Sequence, residues 1–259
     1  MNKPNIEEVA KFLIEYTSKM LSIGTYTARV DRCVSRVAKS YGYNVSLTAL
    51  TKHFSISITD NSNSSNFRTY VIDTPNHFIS FRLISELSAL SWQIQDECLS
   101  IQDAIQNYNE IINFKQNHIK KTILFISLAN AAFCKLFGGD IGSMFVVFVS
   151  TFIGFIFRHL TTKIRLNIKL QHLMAAFISS FVAYLGIYFG FSATPDIAIG
   201  SSVLYLMPGV MLINSTFDIL NSNVLIGLAK AINTGLLIVC IAIGIYITLS
   251  ISSIKLLNV

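Results

Sequence analysis

Asn214 and Asp218 stand one helical turn apart, just downstream of Pro208-Gly209, in a stretch from 196 to 230 that is otherwise largely apolar. Met207, Met211 and Asn221 fall on the same helical spacing, so polar side chains and two adaptable thioethers share one face. Such a face points at protein or water, not at lipid. A carboxyl group there suits proton uptake and release, because burial disfavours its charged form. Lys135, Asp140, Arg158 and Asp196 are further ionisable groups in or beside apolar segments. A charge at the centre of a membrane costs about 3 kcal/mol by insertion scales unless a cavity or a partner receives it.

Each of these residues also has a plain structural use. Lys135 and Asp140 could pair with each other, and Arg158 could reach back to the membrane surface along its own aliphatic stem. Asn214 could bond a neighbouring helix, with Asp218 at the cytoplasmic interface. Ser201, Ser202, Ser215 and Thr216 could line a path for a small zwitterion or serve as helix-packing contacts.

The element that must position Asn214 and Asp218 is a helix broken at Pro208-Gly209. Pro208 has no N–H, so the carbonyl of Leu204 loses its helical partner, and in hydrocarbon that group must be satisfied by something else. Broken helices are candidates for substrate pathways. The alternative is a kink that only bends a buried helix.

With 52% hydrophobic residues and a mean hydropathy of +0.55, the 259-residue chain is too apolar for an ordinary soluble domain. Residues 1–118 carry 11 Lys+Arg and 11 Asp+Glu, whereas 119–259 carry 9 and 3, so the +6 net charge belongs to the second half. The balanced first half has no basic run, which argues against nucleic acid despite a pI of about 9.1. Cys33, Cys98, Cys134 and Cys240 show no CxxC or Cys/His pairing. Buried free thiols are expected, and no metal or cofactor is indicated. The first residues lack the continuous apolar core of a signal peptide, so the N-terminus is expected to stay in the cytoplasm.

Ile6, Val9, Leu13, Thr17 and Met20 mark one helix face, and Val30, Cys33, Val34, Val37 and Tyr41 a second, with Gly24-Thr25-Tyr26-Thr27 supplying a stop and candidate N-caps between them. Alternation over 45–59 changes parity near Lys52-His53, a bulge or a turn, and 67–73 reads as another strand of a small antiparallel sheet. A helix is expected over 79–98. Ser100 with Asp103 resembles a capping box opening another helix through 114. His53, Asp73 and His77 could be drawn as a catalytic set, but no nucleophile motif or metal spacing accompanies them.

Apolar segments at 123–137, 143–157, 171–191, 197–217 and 231–253 approach the length that a bilayer requires. The fold expected is an α-helical membrane protein: a cytoplasmic α+β domain over 1–118, then five transmembrane helices over 119–259. Lys115, Lys120 and Lys121 precede the first span, and Arg158, Lys163, Arg165 and Lys169 crowd the link after the second. The link 192–196 has no Lys or Arg. The basic flanks belong in the cytoplasm, giving an N-in, C-out arrangement.

Residues 133–140 (FCKLFGGD), Met207-Pro208-Gly209 followed by Asn214 and Asp218, and Gly227-Leu228-Ala229-Lys230 resemble the threonine/serine exporter family. Residues 24–30 (GTYTARV) are similar to its early helix-turn element. The resemblance covers nearly the whole chain. It implies proton-driven export of small amino acids across the inner membrane. It also implies that this chain is the larger subunit of a split exporter, working with a smaller membrane subunit. Some split members are linked to succinate or another dicarboxylate. The transport path expected from the residues themselves comprises Lys135, Asp140, Arg158, Pro208, Gly209, Asn214, Asp218 and Lys230, with Asp218 the favoured proton-linked group. Lys230 departs from the arginine of the family pattern, which keeps the charge but loses a planar fork. An odd number of spans suits an inverted partner. A membrane-anchored hydrolase and a sensor without transport are the readings from other classes.

Overall fold

Apolar side chains at helical spacing draw the first elements together. Helix α1 (Ile6–Ser22) opens under the side chain of Asn5, which accepts the Glu7 N–H, and buries Ile6, Val9, Leu13, Thr17 and Met20. Helix α2 (Thr27–Ser40) buries Val30, Cys33, Val34 and Val37. Gly42, at φ +81°, then turns the chain into the sheet. The computed structural model describes residues 3–74, 79–114, 119–164 and 166–252.

Strands β1 (Tyr43–Ala49), β2 (His53–Asp60) and β3 (Phe67–Asp73) form an antiparallel sheet in the order β1-β2-β3. Val45 faces Ile58, Leu47 faces Ile56 and Ala49 faces Phe54, so one side of the sheet is apolar. The parity change at Lys52-His53 is a hairpin turn, with the Leu50 N–H donating to the His53 carbonyl at 2.9 Å. Helix α3 (Phe81–Asp96) follows, then α4 (Ile101–Asn113). Ser100 caps α4 by accepting the Asp103 N–H at 3.2 Å, and the Asp103 carboxylate accepts the Ser100 hydroxyl at 2.7 Å, in place of the backbone N–H that a full capping box would use. Phe12, Tyr16, Met20, Phe54, Ile56, Ile58, Leu87 and Ile94 form the centre of one core. The Tyr16 hydroxyl is satisfied there by the Leu87 carbonyl at 2.7 Å.

His53 and Asp73 are partners across β2 and β3, yet both are exposed and no hydrogen bond joins them. His77 lies outside the described residues. Cys33 and Cys134 are buried and Cys240 is half-buried, but Cys98 is exposed, correcting the expectation of buried thiols throughout. It sits in the sharp turn after α3 at φ +51°, where no core element covers it.

The helices that follow are α5 (Ile119–Leu136), α6 (Ile141–Lys163), α7 (Ile168–Tyr188), α8 (Pro195–Ser202), a 3₁₀ turn (Leu204–Leu206), α9 (Gly209–Leu220) and α10 (Val224–Ile251). The chain divides into two units, Met1–Gln116 with Gly209–Ile232, and Asn117–Pro208 with Asn233–Val259. Helix α9 and the start of α10 thus group with the N-terminal helices and sheet.

The second unit is built inside out relative to a soluble domain. Ser127, Asn130, Ser150, Thr151, Ser179, Ser180 and Thr248 are buried, while Phe125, Phe145, Leu160 and Tyr246 are exposed. Asn130 donates to Thr151 at 3.1 Å, and the Ser180 and Thr248 hydroxyls meet at 2.7 Å. Small polar contacts inside and large apolar side chains outside are what lipid selects. Helices α6, α7 and α10 are long and apolar enough to cross a membrane, and α8 through α9 makes a fourth if that broken stretch is one span. Helix α5 falls short because Lys120, Lys121 and Lys135 lie along its 18 residues. Lys115 and Arg165 of the topology argument lie outside the described residues.

Leu87→Ala in the full chain is expected to cost about 2–5 kcal/mol through loss of core burial. It should be read as a lower denaturation midpoint in detergent. Val71→Thr on the exposed strand β3 should stay within about 0.5 kcal/mol of the parent.

Candidate functional site

Helix α2 begins without a cap of its own. Tyr26 stands at the N-cap position with no side-chain cap bond, and the hydroxyls of Thr25 and Thr27 are buried without a hydrogen-bond partner among the described residues. The threonines expected to cap the helix therefore do not. The cap comes from 191 residues further along the chain, where Asp218 Oδ1 accepts the Thr27 N–H at 2.7 Å. Asp218 is fully buried, and its other oxygen accepts from Lys230 Nζ at 2.6 Å. A carboxylate at a helix N-terminus gains from the orphan N–H groups and from the helix dipole.

The neighbours of Asp218 on α9 hold the same turn. Asn214 donates its Nδ2 to the Gly24 carbonyl at 2.6 Å, and Phe217 stacks on Tyr26 with ring centroids 5.3 Å apart. Three residues within about one turn of α9 thus bind three residues of the α1–α2 turn. Lys230 reaches Asp218 because α10 lies directly against α9 at Gly227. A Cβ there would come within 2.6 Å of Ile219 Cγ1 and 2.9 Å of the Ile219 nitrogen. Gly227 and Lys230 are three residues apart and share a helix face.

Pro208 and Gly209 set where α9 starts. The Leu204 carbonyl deprived by Pro208 is satisfied one residue short, accepting the Met207 N–H at 3.1 Å in the 3₁₀ turn. Met207 then takes the extended conformation, with ψ 122°, that a following proline favours. Pro208 is buried, and Gly209 is the exposed first residue of α9.

In the second unit the remaining candidates are not brought together. Lys135 and Asp140 form no ion pair: Lys135 Nζ contacts the Gly139 carbonyl at 3.4 Å, while Asp140 caps α6, accepting from the backbone of Gly142 and Ser143. Asp140 also accepts from the Ser143 hydroxyl and from Thr194 Oγ1, the latter at 2.9 Å. Local cap geometry wins over the nearby cation because it offers several fixed donors at once. Arg158 is half-buried, with Tyr205 and His172 within electrostatic reach. Asp196 is exposed in the first turn of α8.

Gly24, Tyr26 and Thr27 belong to the constellation around Asp218, although the sequence alone marks them only as a turn. Tyr205 and Ser179, bonded at 2.9 Å, belong to no motif in the sequence. A lone tyrosine one turn before a helix break was their trace.

Comparison with known proteins bears on this arrangement. A family model described as "Putative threonine/serine exporter" matches residues 11–252. The chain is 22% identical over 250 residues to a protein of Klebsiella aerogenes named "Probable succinate transporter subunit YjjP", covering 96% of each. It is 24% identical over 245 residues to the Escherichia coli (strain K12) protein of the same name, covering 94% of each. No solved structure matches the chain.

Asp218→Ala leaves the Thr27 N–H and the Lys230 ammonium without their acceptor, and should destabilise the protein by about 3–5 kcal/mol. Asp218→Asn keeps an acceptor for Thr27 and should cost less. Amide exchange at the first turn of α2 reads the difference: faster in the alanine variant and near the parent in the asparagine one.

Proposed function

The chain belongs to the threonine/serine exporter family, and from that premise we propose that it is one subunit of a proton-coupled exporter of small carboxylates. The observation that carries the coupling is the fully buried Asp218 held between the Thr27 N–H and Lys230. Protonation removes the charge that Lys230 and the α2 N-terminus both stabilise, so the α1–α2 turn can part from α9. Deprotonation restores the latch. The unpaired hydroxyls of Thr25 and Thr27 beside it suit a water-linked proton route.

In this reading residues 1–118 are a cytoplasmic domain and 119–259 cross the inner membrane five times, N-in and C-out. Lys120 and Lys121 in the first turn of α5, and Lys163 and Lys169 around the α6–α7 link, support that orientation. A smaller membrane subunit of inverted topology completes the path. Of the candidate residues, Asn214, Asp218 and Lys230 operate the latch, Pro208 and Gly209 permit it, and Lys135 and Asp140 shape the opposite end of α5 and α6. The substrate favoured by the names of the two full-length relatives is a dicarboxylate such as succinate. Threonine or serine, favoured by the family description, is the second reading.

Cells lacking their own exporters, loaded with succinate or with a threonine-containing dipeptide, test the proposal. Efflux is expected with both subunits, not with this chain alone, and is expected to fall at least tenfold in Asp218→Asn. Efflux of neither compound with both subunits in the membrane would overturn the reading.

A further inference from the structure

Among the described residues, Arg158 is a cation without an anion. Besides Asp218, whose oxygens are taken by Thr27 and Lys230, residues 119–259 contain Asp140 and Asp196 as their acids. Asp140 lies 18 residues earlier on α6, about 27 Å along the axis, and is occupied as a cap. Asp196 begins α8 two residues after Thr194, which bonds Asp140, so both acids mark the end of this unit away from Arg158. No hydrogen bond or carboxylate reaches the guanidinium from any described residue. An unpaired, half-buried guanidinium in an apolar helix is costly, and its planar fork is shaped for a carboxylate.

What surrounds Arg158 is polar and built. The Tyr205 hydroxyl is within electrostatic reach, bonded to Ser179 Oγ at 2.9 Å, and its ring packs on Phe155 at 5.8 Å. This hydroxyl pair lies directly on the backbone of α6 at Gly154, where a Cβ would come 1.9 Å from Ser179 Oγ and 2.4 Å from the Tyr205 hydroxyl oxygen. Gly154 and Arg158 are one turn apart on one face, so the glycine admits the hydroxyls beside the guanidinium. His172, also within reach of Arg158, is fixed with Nδ1 2.7 Å from the Ile168 carbonyl. On the same face Thr151, bonded to Asn130, and Ser150 continue the polar lining.

We propose that Arg158, with Tyr205 and Ser179, receives a carboxylate of the transported molecule, a placement that rests on the exporter reading above. The group recognised is the one that small amino acids and dicarboxylates share. The guanidinium offers two parallel N–H donors to the two carboxylate oxygens, and the Tyr205 hydroxyl, released from Ser179 or shared with it, offers a third donor. Gly154 is a positioning residue: any side chain there pushes the hydroxyl pair off α6.

Membranes holding the full chain and its candidate small subunit should be assayed in parallel for binding of radiolabelled succinate and L-threonine, with threoninol as the analogue lacking a carboxylate. Whichever ligand binds the parent should bind R158A about 10- to 150-fold more weakly, the range expected for hydrogen bonds to a charged group. R158K should fall between, since it keeps the charge and loses the fork. Y205F should weaken binding about fivefold, and threoninol should not compete. Because the guanidinium has no internal anion, unliganded R158A should melt no lower than the parent, whereas a structural arginine would lower the midpoint. Should R158A fail to accumulate, R158K and Y205F carry the same test. Succinate binding alone or threonine binding alone supports the site and names its ligand. Parent-like affinity in R158A and Y205F, with efflux intact in the parent, overturns the site and leaves the exporter reading standing. Absence of both binding and efflux in the parent overturns both.

Discussion

A fully buried carboxylate persists in an apolar setting only where donors surround it, and Asp218 meets that condition by recruiting two from distant stretches of chain. Much of the first unit follows from this requirement. Helix α2 can start at Thr27 without a local cap because Asp218 supplies one. The Pro208 break lets α9 begin independently at Gly209, and Gly227 brings α10 close enough for Lys230 to neutralise the charge. Asn214 and Phe217 then fix the α1–α2 turn on the same helix face. Removing Asp218 takes away the acceptor of the Thr27 N–H, and removing Asn214 takes away the donor to the Gly24 carbonyl.

The second unit meets a different constraint. Its outward surface is apolar, so the helices cohere through small residues and hydroxyl contacts such as Asn130 with Thr151 and Ser180 with Thr248. Gly154, Gly186 and Gly244 allow backbones to approach side chains of neighbouring helices within distances that no Cβ would permit. In such an interior Asp140 is held as the cap of α6, and Arg158 is half-buried with no carboxylate reaching it from any described residue.

The periodic features were legible in the sequence because each rests on residues close together in the chain. The α1 face and the Ser100 cap follow from spacing alone, as does the helix break at Pro208, while the parity change at Lys52-His53 is open to a bulge or a turn until the β1–β2 pairing settles it as a turn. The role of Asp218 was legible only as a polar group on a helix face, since its partner Thr27 lies 191 residues away and no pattern links them. Proximity misled at Lys135 and Asp140, where a five-residue separation suggested a pair but the α6 N-terminus supplied more donors. Arg158 sits near a helix end, where the sequence shows only a cation; that Gly154, one turn before it, brings the Ser179 and Tyr205 hydroxyls onto α6 is visible in no local pattern.

The most direct test of the latch fixes it shut. Tyr26→Cys and Phe217→Cys, placed in a chain whose four native cysteines are replaced by serine, can be joined by a short cleavable thiol cross-linker across the 5.3 Å ring contact. The account expects efflux to stop while the link is intact and to return when it is cleaved. Full efflux through the cross-linked protein would contradict it, because the α1–α2 turn would then never need to leave α9.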